Sequence, residues 1–362
     1  MNLLRTSGVP LLILSVLFAC AVYALHAGDY LIFDSYTAID ANASLKIDGS
    51  VLDEWRSAAL STTSGPLRRP LSMLSFAANH VLSGTLSPLQ IKITNALIHC
   101  LTGLAIAWLL FVVASASPAL GWGRERALQV AAVAGSIWLL HPLQVSTVLY
   151  AVQRMTQLSA LFVVLGLAVF FVQRRRWLQR VPTVEQVSGS LLWLAIFTLL
   201  AAFSKENGLL LPWLAAVTEM WLFGYVVAGR RAPWLRLAVW VMLLLPVLAV
   251  ALLFLFDPDW AVRAYANREF SLGTRLLTQV WLLWQYLGWM LLPWSPGMGF
   301  FHDDIVWSQS LMDARSLIAM AAWLLLLVMS WRWRSSFAIL GFAVCWYLVA
   351  HSMESTILPL EM

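Results

Sequence analysis

Asp34 stands directly after the first apolar run, in YLIFDSYTAIDANASL, with Tyr30 and Phe33 beside it. A carboxylate on an apolar, aromatic shoulder is partly desolvated and takes a proton more readily than one in water, as a general base must. A rigid helix immediately before it would hold it in place; the bland alternative is a capping or solvated loop acid. LLHPLQVSTVLYAVQRMTQLSAL, 139–161, sets His141, Gln153, Arg154 and Gln157 between two apolar runs. A charged group at bilayer depth costs at least about 2.5 kcal/mol, so such residues ask for a reason. Lys92, Asn95 and His99 fall on one helical face, at i, i+3 and i+7. They are either a hydrogen-bonded stripe between helices or the lining of a site. FSKENGLLLP puts Lys205 and Glu206 at the end of another run, as a functional pair or a polar turn. FFHDD supplies His302, Asp303 and Asp304, ligand types for a divalent cation that also suit an ordinary solvated loop.

The elements that must position these groups are helices in a membrane. The 362 residues are 61% hydrophobic and 11% charged. Crossing a hydrocarbon core takes roughly 20 apolar residues per helix, with every backbone hydrogen bond closed internally. The expected class is an all-α polytopic membrane protein. Its spans are expected near 9–27, 88–114, 127–150, 155–173, 188–204, 208–228, 235–256, 316–331 and 335–351. The first run carries a weak lipobox-like Leu17-Phe18-Ala19-Cys20, but its length suits a retained anchor better than a cleaved signal. Cys20, Cys100 and Cys345 each sit in an apolar run and read as small core residues. No Gly-rich phosphate loop, zinc-type spacing or GxSxG elbow occurs.

Basic clusters set the expected orientation. Arg124 and Arg126, Arg174 to Arg176 with Arg180, Arg230, Arg231 and Arg236, and Arg332 and Arg334 fall in short loops on one side, which the positive-inside rule makes cytoplasmic. The net charge of +5 therefore belongs to topology, and no nucleic-acid partner is expected. Most acids fall on the other side. A further apolar stretch, 273–294, would reverse this pattern if it crossed, so it is expected to lie at the outer surface or to be re-entrant. That leaves about nine spans. The long first outer loop is expected to carry a short surface helix at 48–60, followed by RPLSMLSFAANHVL dipping into the outer leaflet.

FDSYTAI, GPLRRPLSMLSFAANH, IKITNALIHCLTGL, the HP…VQR block, FSKENGLLLP, TRLLTQVWLLWQYLGWMLLPW and GFFHDD resemble, in this order, a bacterial membrane family with tetratricopeptide repeats and a GT-C-type membrane domain. More distantly they are similar to the eukaryotic transmembrane-and-tetratricopeptide O-mannosyltransferases. The resemblance covers about residues 29–361. It implies a GT-C-like bundle forming one membrane domain. Such a domain moves a sugar from a polyprenyl-phosphate carrier to a protein or glycan acceptor outside the bacterial inner membrane, with inversion. Asp34 corresponds to the first member of the family's acidic pair, and Ser35 replaces the second, leaving Asp40 as the nearest substitute. Arg154 is the first candidate for the carrier phosphate, because a guanidinium takes two phosphate oxygens at once. Lys205 and Arg69 come next, and His141, Gln153, Glu206 and His99 complete the expected surroundings.

Relatives typically continue beyond HSMESTILPLEM, and no tetratricopeptide repeat lies in these residues, so a carboxyl-terminal part is expected to be missing. Two other readings stand beside the transferase. One is a non-catalytic scaffold or truncated member; the other is a transporter of a lipid-linked substrate. The second predicts inverted repeats and broken helices, which the sequence does not display. The sugar, the acceptor, any required metal and the oligomeric state are not legible.

Overall fold

The computed structural model describes residues 8–293 and 305–358. Among them six helices are long and apolar enough to cross a membrane, and the only strands are the two, of two residues each, of one hairpin. The chain is an all-α, multi-pass membrane protein. It divides into two compact units: residues up to Ser117 with Gly121–Leu211, and Pro118–Leu120 with the residues from Pro212 onward.

The first unit holds α1 (Gly8–His26), α2 (Leu52–Ala59), α3 (Pro70–Ser83), α4 (Pro88–Ala116), α5 (Arg124–Leu140), α6 (Gln144–Leu149), α7 (Arg154–Arg174) and α8 (Val184–Ala202). Of these α1, α4, α7 and α8 are candidate spans. α4 is central and packs on α1, α5 and α7. In lipid, where the tails are as apolar as the side chains, small residues let helices approach closely. Gly103 of α4 does this, since a Cβ there would lie 2.3 Å from Cδ2 of Leu139 on α5. The expected surface helix at 48–60 is α2, and RPLSMLSFAANHVL forms α3. Together with the loop they pack Ile39, Leu45, Ile47, Met73 and Phe76 into one core with Ile91 of α4 and with Ala151 and Met155 around the start of α7. A fully buried side chain of this kind contributes about 1.5–3 kcal/mol, so the segment between α1 and α4 is a folded cap.

The second unit holds α9 (Leu211–Thr218), continued by a wide helical turn to Phe223, then a hairpin of β1 (Val226–Val227) and β2 (Arg230–Arg231). α10 (Pro233–Phe256), α11 (Trp260–Ala264), α12 (Leu272–Leu291), α13 (Ala314–Arg332) and α14 (Ala338–His351) follow. The strands pair antiparallel, Val226 with Arg231 and Val227 with Arg230. α10 and α13 are candidate spans. α12 turns Arg275, Thr278 and Gln279 inward with Leu282. Arg275 donates from Nε to the Thr356 carbonyl at 3.2 Å and from Nη2 to that of Glu354 at 2.6 Å.

Three of the nine expected spans are not among these six. The 127–150 segment ends as α5 at Leu140, where His141-Pro142 breaks it. In 208–228, α9 gives way to the wide turn, whose Glu219 accepts the backbone N–H of Tyr225. The 335–351 segment is the 14-residue α14.

Candidate active site

A polar cavity of about 530 Å³ opens beneath the cap of the first unit, lined by Asp34, Asn42, Arg69, Tyr150, Gln153 and Lys205 among others. Four separate pieces of chain meet there: the start of the cap, the turn before α3, the 150–156 segment and the turn after α8. Their backbones are tied directly. Leu71 N–H donates to the Phe203 carbonyl at 3.1 Å, and Ser72 Oγ donates to that of Ser204 at 2.8 Å. These bonds hold Arg68 and Arg69 at φ of 54° and 43°, a left-handed conformation that side chains adopt only under constraint.

Asp34 is exposed toward this space. Its backbone N–H donates to the Tyr150 hydroxyl at 3.2 Å, while Phe33 meets the Tyr150 ring edge-on at 6.0 Å. Burial raises the Tyr150 hydroxyl above its ordinary pKa, and the negative charge of Asp34 adds to the rise. The phenol therefore stays protonated beside the carboxylate. Ser35 faces the other way: it is fully buried and its Oγ accepts the Val152 N–H at 3.3 Å. That bond fastens the Asp34 loop to the 151–153 turn. Asp40 is exposed at the end of a wide helical turn and is not among the cavity residues.

Two cations reach the cavity. Lys205 Nζ donates to Thr156 Oγ1 at 3.2 Å. Arg69 donates from Nε to Glu206 Oε2 at 3.0 Å, and its Nη1 lies 3.4 Å from Met155 Sδ. Glu206 thus acts behind the cavity, orienting Arg69. The turn carrying both Lys205 and Glu206 needs Gly208, where a Cβ would stand 2.2 Å from the Ala201 carbonyl carbon. Gln153 lines the cavity, and its Oε1 accepts the Thr156 hydroxyl at 2.7 Å.

Arg154, the first candidate for an anion from the sequence, lies elsewhere. It is fully buried. Nε donates to Asn95 Oδ1 at 2.8 Å, Nη1 to the Ser75 carbonyl at 3.0 Å and to Asn79 Oδ1, and Nη2 to the Ile91 carbonyl at 2.9 Å. Phe76 stacks on its guanidinium at 4.4 Å. The fork that suits phosphate oxygens is filled by protein acceptors, and Arg154 binds α3 and α4 to α7. His99 is likewise structural, with its Nε2–H donating to the Leu139 carbonyl at 2.9 Å and its ring stacked on Trp138 at 4.8 Å. Asn95 donates to the carbonyls of Val148 and Ala151, each at 3.2 Å. Lys92 donates to the Gly28 carbonyl at 3.3 Å and sits 3.9 Å from the Tyr30 ring centroid. The stripe is interhelical hydrogen bonding.

His141 ends α5 and accepts the Leu143 N–H on Nδ1 at 3.3 Å; it does not line the cavity. His302, Asp303 and Asp304 lie outside the described residues. Among the described residues no group of three His, Cys, Asp or Glu is placed to hold a metal ion. Sequence reasoning passed over Tyr150 and the Ser61–Ser64 run, STTS, that lines the opposite wall. The first was a lone tyrosine in a hairpin already singled out, and the second was an uninterrupted hydroxyl tract in a loop.

No family model matches the chain, and no solved structure matches it. The distant similarity to transmembrane-and-tetratricopeptide O-mannosyltransferases is present. The chain is 27% identical over 207 residues to protein O-mannosyl-transferase TMTC4 of Mus musculus, covering 54% of this chain and 27% of the relative. With protein O-mannosyl-transferase TMTC4 of Homo sapiens it is 26% identical over 238 residues, 62% of this chain and 31% of the relative. The chain spans less than a third of the length of the curated relatives it matches.

Proposed function

We propose that the chain is a membrane glycosyltransferase with a GT-C-like fold. It takes a sugar from a polyprenyl-phosphate carrier and transfers it, with inversion, to a protein or glycan hydroxyl on the outer side of a bacterial inner membrane. The observation that carries this reading is the sharing of one polar cavity by Asp34, Arg69 and Lys205. The similarity to proteins named O-mannosyl-transferases makes mannose the first sugar to test.

In the proposed step the Asp34 carboxylate takes the proton of the acceptor hydroxyl. The acceptor oxygen forms its bond to the anomeric carbon on the face opposite the leaving group, and the bond from that carbon to the carrier phosphate breaks. The electron pair departs with the phosphate, whose growing charge Arg69 and Lys205 stabilise. Protonated Tyr150 holds Asp34 in register through its backbone N–H. Ser35 serves as an anchor for that loop, so the missing second acid leaves the base in place.

The test is transfer of radiolabelled mannose from a polyprenyl-phosphate donor to membrane acceptors by purified wild type and Asp34→Asn. Loss of label in a variant that melts with the wild type supports the assignment. Equal transfer by the two removes Asp34 as the base.

A further inference from the structure

A second cavity, of about 470 Å³, lies in the second unit where the basic ends of α10 and α13 meet the β1–β2 hairpin. Arg231, Arg236 and Arg334 line it from three different elements, together with Trp240, Trp331 and Tyr225. All three arginines act electrostatically on the Tyr225 hydroxyl, so their charges converge on one spot. Arg334 lies over Trp331, 4.5 Å from the ring centroid. Trp331 in turn meets Trp240 at 6.2 Å and Trp221 edge-on at 6.2 Å. Among the described residues no carboxylate lines the cavity, and none of the three guanidiniums donates to a protein acceptor. Glu219, behind the wall, is engaged by the Tyr225 N–H at 3.1 Å.

Converging guanidiniums without protein acceptors are suited to an anion with several oxygens, such as a phosphate ester. The membrane context narrows the choice. α10 and α13 are candidate spans, and only 6% of the α10 span is buried, so acyl chains have access to its sides. Trp240 and Trp331 sit by the arginines as residues of an interfacial belt do. We infer that this cavity is a binding site for an anionic phospholipid, with the headgroup phosphate among Arg231, Arg236 and Arg334 and the acyl chains along α10 and α13. Basic pockets between spans bind anionic lipid in this way. The site is independent of the transfer cavity and stands whether or not that assignment does.

The experiment is native mass spectrometry of the full chain, released from neutral detergent, with dioleoyl phosphatidylglycerol or dioleoyl phosphatidylcholine as the added lipid. Wild type is expected to retain phosphatidylglycerol in preference. The triple variant Arg231→Gln, Arg236→Gln, Arg334→Gln is expected to lose that preference by roughly a hundredfold, at about fivefold per arginine. Single Arg334→Gln, should the triple variant fail to fold, is expected to lose about fivefold. A control outside the cavity, Arg175→Gln, Arg176→Gln, Arg180→Gln, should keep the wild-type preference. Equal loss in the control, or no preference in wild type, overturns the site as diffuse surface charge. Displacement by an equal concentration of inorganic phosphate overturns the lipid assignment in favour of a soluble phosphate ligand.

Discussion

Arg154→Met tests whether the buried guanidinium is a structural hub or a ligand for the carrier phosphate. The substitution keeps the length and apolar stem of the side chain while removing every donor. Four acceptors lose their partner: Asn95 Oδ1, Asn79 Oδ1 and the carbonyls of Ser75 and Ile91. An orphaned buried acceptor costs about 1–3 kcal/mol. The lower value applies where a carbonyl already accepts a helical N–H and an amide can turn, which gives about 4 kcal/mol for the four. That is roughly a thousandfold in the folding ratio, or a melting temperature about 10 °C lower for a unit of this size. Arg154→Lys, with three donors on a compact ammonium, should recover part of the loss. The assay is thermal unfolding of the detergent-purified chain, followed alongside binding of a polyprenyl phosphate. A variant that melts with wild type but no longer binds the lipid would refute the hub and restore Arg154 to the site.

Tyr150→Phe keeps the ring against Phe33 but removes the hydroxyl that accepts the Asp34 N–H. Mannose transfer should fall about tenfold with the melting temperature held, the worth of one hydrogen bond; unchanged transfer would detach Tyr150 from Asp34. Gly208→Ala places a methyl where 2.2 Å separates it from the Ala201 carbonyl carbon, and should destabilise by about 1–3 kcal/mol, read as a lower melting temperature. Asp313 caps α13, and its hydrogen bonds with the Arg315 side chain pull its carboxyl down to about 2. Because the folded value lies below the ordinary value of about 3.9, its contribution is complete above that pH and fades as the pH drops toward 2. Melting temperatures of wild type and Asp313→Asn should converge over that window, and parallel curves would contradict the assignment.

The parts of the fold that the sequence pattern dictates were legible: the long apolar helices and the short helix α2 in the first loop; the end of α5 at His141-Pro142 was not, because the apolar run continues past it. Span length was less so, because an apolar run does not announce where a wide turn such as the one at Glu219 interrupts it. That Asp34 and Lys205 line one cavity follows from positions the sequence marks, since each stands at the end of an apolar run, where a polar residue has a fixed anchor. Arg154 stands away from the cavity for a physical reason. A guanidinium fork suits carbonyl and amide oxygens as well as it suits phosphate, and only the tertiary fold reveals that Asn79 and Asn95 converge on it. Arg69 rose in importance by the same logic, since its left-handed backbone leaves no trace in sequence.

The backbone stitching between the start of α3 and the turn after α8 has a consequence for synthesis. Asp34 emerges early, whereas Lys205 and Glu206 follow only after several more helices have been made. At about 5–20 residues per second the interval is roughly 10 to 30 s. Through that time the Arg69 turn has neither its carboxylate partner nor the carbonyls of Phe203 and Ser204 to hold it. Closure of the cavity therefore waits for the turn after α8, and a nascent chain halted before that turn would display Asp34 and Arg69 without Lys205.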